Sequence, residues 1–156
     1  MSVTGVFLII FLGMASGYVG ALAMNFFMQF ISASYSERVD MPTALGSFFT
    51  GQMEGAKRLG LRIHCAAGTL FGIVYLLILE AMHALVFPQA FFLGIAFGFI
   101  HGLLMSYILM FYASAQHPIE QYRKASLEEG LIHLIGHVIF GAVCGLMGGV
   151  VMSVFG

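Results

Sequence analysis

Four histidines, His64, His101, His133 and His137, lie inside apolar stretches of the chain. An ionisable side chain within a membrane span usually faces the bundle interior and marks a functional position. Neutral imidazole is a common metal ligand and serves as an axial ligand to haem. The plainer alternative is a ring that donates one hydrogen bond to a carbonyl of a neighbouring helix. His133 and His137 stand four residues apart, on one helix face, within the glycine-rich segment EEGLIHLIGHVIFGAVCGLMGG from Glu128 to Gly149. They lack the glutamate of an H-E-x-x-H zinc motif, because Leu134 follows His133. Glu80 and His83 form a single E-x-x-H near a span end, whereas a di-iron bundle needs two copies and extra glutamates. No P-loop and no G-x-S-x-G occurs, so an enzyme is not expected. Eleven methionines offer soft ligands for copper, yet methionine is also a flexible apolar filler. Lys57, Arg58 and Arg62 lie near His64 in sequence and would suit haem propionates.

These residues need elements that hold them in lipid. The chain of 156 residues is 60% hydrophobic and 8% charged, where a soluble domain carries about a quarter charged residues. The apolar blocks are long enough for helices crossing a bilayer, about 20 residues each. Expected spans run from about 5–31, 61–87, 90–113 and 127–155. All of 1–156 then forms one all-α transmembrane domain. The N-terminal apolar run lacks a basic region before it and reads as a retained first span rather than a cleaved leader. Between the first two spans, Met41, Leu45, Phe48, Phe49, Met53, Ala56 and Leu59 recur at helical spacing, which predicts an amphipathic helix on the membrane surface over about 42–59. Pro88 and Gln89 predict a tight turn that makes spans two and three antiparallel neighbours. Cys65 and Cys144 fall in apolar blocks and read as plain buried thiols. No basic stripe exists, so no nucleic-acid partner is expected.

Spans one and three align without a gap, FLGMASGYVGALAM over FLGIAFGFIHGLLM. Spans two and four align as HCAAGTLFGIVY over HLIGHVIFGAVC. The expected architecture is two tandem helical hairpins related by a pseudo-two-fold axis along the membrane normal. His64 then matches His133, while Gly68 matches His137 and Gly20 matches His101. At about 1.5 Å per residue, His101 and His137 reach mid-membrane, so a shallow pair His64/His133 and a deeper pair His101/His137 are expected. The shallow pair is the candidate metal site, and all four histidines are candidate cofactor ligands for haem b or a transition metal. The six basic residues all fall in the connections after spans one and three or, for Arg62, at the edge of the first of them, which places those loops in the cytoplasm and both termini outside.

LIHLIGHVIFGAVCGLMGG resembles the last span of a family of small bacterial four-span membrane proteins known only as a domain of unknown function. GMASGYVGALAMNFFMQF resembles that family's opening helix, and His64 followed by Phe71 and Gly72 its second span. The resemblance implies the span count and no particular chemistry. A multi-pass protein of the bacterial inner membrane is therefore expected. Three functions follow: an accessory or scaffold subunit of a larger respiratory or redox complex, a haem b- or metal-binding redox protein, or a small channel or transporter. Expected partners are the lipid bilayer, other membrane subunits, or a second copy met through glycine-rich helix faces.

Overall fold

The computed structural model describes residues 3–32, 40–124 and 126–155, and among them no strand occurs. The elements are α1 (Val3–Ser32), α2 (Met41–Thr50), α3 (Ala56–Ala81), α4 (Gln89–Ile108), a π-helical turn (Leu109–Ala113), α5 (Ser114–Gln116), a 3-10 turn (Glu120–Tyr122) and α6 (Leu127–Phe155). Four of them, α1, α3, α4 and α6, are long and apolar enough to cross a membrane.

Their seams are built on glycine. A Cβ on Gly17 of α1 would strike the Gly68 carbonyl and the Gly72 Cα of α3, and one on Gly72 would strike the Gly13 carbonyl. On the other side of the bundle, a Cβ on Gly98 of α4 would strike the His137 carbonyl of α6, and one on Gly141 would strike the Gly94 carbonyl. Such contact lets dispersion act backbone to backbone, the main attraction between helices once lipid replaces water. The third seam joins α1 to α6, where Gly20 lies against Phe140 and Gly136 against Met24. These glycine faces are turned toward one another within the chain.

α3 and α4 are not close neighbours, contrary to the expectation from Pro88. Aromatic rings hold them apart: Phe71 lies 4.1 Å from the His101 ring, and Tyr75 lies 5.6 Å from Phe97. The second span is also displaced from 61–87. Gly55, in the left-handed conformation at φ 70°, lets the helix begin at Ala56. At the far end His83 takes φ 55° and the Ala84 N–H donates to the Leu79 carbonyl, a helix stop. The apolar run after it docks on the end of α6, where the Phe87 N–H donates to Ser153 Oγ at 2.9 Å and to the Gly149 carbonyl at 3.3 Å. Its hydrophobicity reflects that docking rather than further span. The third span stays α-helical only to Ile108 and then passes through the π turn.

The amphipathic pattern over 42–59 belongs to two helices. Asp40 caps α2 through the Thr43 N–H, Pro42 sits in its first turn, and Gly51 at φ 67° ends it. The chain then reverses into α3. Gly46 abuts Ala56 and Gly60, and Gly60 abuts the Pro42 carbonyl, so α2 runs antiparallel along the first turns of α3 rather than lying alone on a surface.

Candidate functional site

The helix ends carrying α2 and the 117–124 connection enclose a cavity of ≈ 790 Å³. Its walls come from α1, α2, α3, α4 and α6, and His64, His101, His133 and His137 all line it. Phe71 and His101, the aromatic contact between α3 and α4, are part of its lining. Size and lining, mostly apolar and aromatic with a few polar groups, are those of a site for a cofactor-sized molecule.

His137 sits at its centre. The ring is 4.6 Å from His133 on the same helix and 4.6 Å from His101 across the α4–α6 seam, edge to face in both cases. Its Nδ1 lies 3.0 Å from the His133 carbonyl. A carbonyl only accepts, so Nδ1 carries the proton and Nε2 of the neutral ring holds a lone pair. His101 is anchored differently: its Nδ1 meets the Tyr75 hydroxyl at 3.2 Å, and Phe71 stacks over its ring. Asn25 Nδ2, His101 Nε2 and His133 Nδ1 are buried without a hydrogen-bond partner. His64 is half-buried in the opposite wall. Met24 and Met105, matching positions of the aligned spans, also line the cavity.

The donor set discriminates between cofactors. Among the described residues no group of three or more His, Cys, Asp or Glu converges to hold a metal ion. A bare ion in a closed site asks for about four protein ligands. Haem brings four nitrogens of its own and asks the protein for one or two. His101 and His137 touch edge to face, so no macrocycle fits between them as a bis-histidine sandwich. The cations expected near propionates, Lys57, Arg58 and Arg62, are not in the lining; Lys57 pairs with Asp40 at 3.0 Å, and among the described residues Lys124 is the cation that lines the cavity. Glu80 ends α3 and His83 lies exposed beyond it, away from the cavity. Both cysteines are free, Cys144 buried and Cys65 half-buried, and neither lines the cavity.

Three further residues shape the site. Asn25 is a wall residue, Tyr75 orients His101, and His117 fastens the cover. His117 is 4% exposed; it accepts the Ile119 N–H at Nδ1 and donates from Nε2 to the Ala44 carbonyl of α2 at 3.0 Å. Its ring packs on Phe48 and Tyr122. In the sequence Asn25 is a polar residue inside an apolar stretch, but nothing marks Tyr75 or His117 as partners of anything. No protein-family model, curated protein or solved structure matches the chain, and the resemblance to the four-span family rests on glycine, histidine and aromatic spacing alone.

Proposed function

We propose that the chain is a multi-pass protein of the bacterial inner membrane that binds haem b in this cavity, where His137 Nε2 would hold the iron. The observation that carries the reading is the Nδ1–H bond from His137 to the His133 carbonyl. Ligating histidines almost always donate their other ring N–H to a carbonyl, carboxylate or water, which fixes the tautomer and raises ligand basicity. The cavity supplies the apolar volume, and Lys124 at its wall is the cation for a propionate. Haem b would supply a one-electron redox centre.

The parallel repeat is supported by matched contacts: Gly17 on the Gly68 carbonyl and Gly98 on the His137 carbonyl join aligned positions. The charge distribution supports the orientation with α2, the start of α3 and the 117–124 connection in the cytoplasm and both termini outside.

The reading is tested by the visible spectrum of the protein purified in mild detergent, oxidised and reduced. A Soret band and a reducible α-band are expected, lost in His137→Ala and kept in His133→Ala, whose contribution is a backbone carbonyl. A colourless, metal-free protein migrating with a larger complex would establish the accessory subunit instead. A colourless protein that runs alone and moves solute into liposomes would establish a transporter.

A further inference from the structure

We infer that the cavity is filled from the bilayer, through a portal between α3 and α4, and that its ligand is a membrane-dissolved amphiphile. The inference rests on the cavity being a ligand site and not on the ligand being haem.

Three of the four seams of the bundle close on glycine, and the α3–α4 seam does not. Its contacts form a layer of rings, Phe71 on His101 and Tyr75 on Phe97, with Phe140 of α6 5.5 Å from Tyr75. That layer is a floor. One turn beyond it, the antiparallel register sets Ala67 of α3 level with Met105 of α4, and His64 level with Ile108. All four line the cavity. Ala67 is exposed and Ile108 is 52% exposed, and both belong to helices long and apolar enough to cross a membrane. The rim continues into the π turn, where Leu109 and Tyr112 line the cavity and Tyr112 is 62% exposed. Such π segments inside helices concentrate at functional sites. On the other side α2 lines the cavity through Pro42, Ala44, Leu45 and Phe48, and His117 ties it to the connection after α5. An amphiphile arriving sideways would place its polar end at the histidines and its apolar body along Ala67, Met105 and Ile108.

The chain contains no tryptophan, so an introduced one is an unshared reporter. Ala67→Trp protein would be reconstituted in phospholipid bilayers with brominated acyl chains, beside Phe26→Trp on the outer face and Leu79→Trp in the core away from the cavity, positions 75% and 0% exposed. Emission of the portal reporter is expected to be quenched as deeply as that of Phe26→Trp. Met105→Trp, across the portal, gives the same reading should Ala67→Trp fail to fold. Quenching no deeper than in Leu79→Trp, or quenching by aqueous acrylamide but not by brominated lipid, overturns the portal. Haemin added to wild-type liposomes separates the two ideas. No Soret band alongside deep quenching of Ala67→Trp removes the haem and leaves the portal standing.

Discussion

At the scale of single residues, the site turns on which nitrogen of a ring carries the proton. His133 and His137 are equivalent by spacing, and the alignment with His64 points to His133. The structure separates them through a bond made by the backbone of one and the ring of the other. Such a bond depends on a χ angle, and no residue pattern encodes it. The same holds for His101, whose partner Tyr75 is 26 positions away. Tyr75→Phe removes that hydroxyl and leaves both ring nitrogens of His101 without a partner. Interhelical bonds of this kind contribute about 0.6 kcal/mol on average in membranes, up to about 1.7. A thermal midpoint lowered by that modest amount in detergent is expected, with retention of any Soret band. A much larger fall would mean that Tyr75 supports more than the His101 ring.

At the scale of elements, the glycine ridges were legible and their partners were not. Gly13, Gly17, Gly68, Gly72, Gly94, Gly98, Gly141 and Gly145 recur at helical spacing in the sequence, which marks close-packing faces. Spacing alone does not distinguish a face spent inside the chain from one offered to another subunit. The contacts assign these to the interior. Gly17→Ala and Gly98→Ala each drive a methyl into a facing carbonyl, and overpacking costs about 1–3 kcal/mol. Comparable destabilisation in the two variants, measured by unfolding in mixed detergent, is expected from the matched geometry. Near-neutral values at either position would mean that seam is looser than described. The boundary of α2 was hidden for a related reason. Met53, Ala56 and Leu59 continue the apolar period of Met41 to Phe49 across a chain reversal, and only the left-handed conformations of Gly51 and Gly55 break it.

For the molecule as a whole, the number of long apolar helices and their last boundaries follow from composition, because lipid demands continuous apolar helix. Helix adjacency does not follow, since it is decided by which ridge meets which. The sequence order of spans two and three suggested neighbours, while the packing places α1 against both α3 and α6 and leaves α3 and α4 apart. The proposed orientation makes a plain prediction. Alkaline phosphatase fused to the C-terminus should be active and a green fluorescent protein dark, with the reverse for fusions within 117–124. Active phosphatase at the inner connection would invert the topology.

The few contacts between α3 and α4 also bear on how the chain holds together when it is cut. Each half, α1 with α3 and α4 with α6, carries its own glycine seam, and the α1–α6 seam joins them without help from the link between Ala81 and Gln89. Most of that link belongs to the second half, through Phe87 on α6, and its exposed hinge is His83. Two fragments divided at His83 and expressed together should therefore find each other in the membrane and copurify as a complete bundle. The continuous backbone at that point would serve to deliver the halves in equal number rather than to keep them assembled.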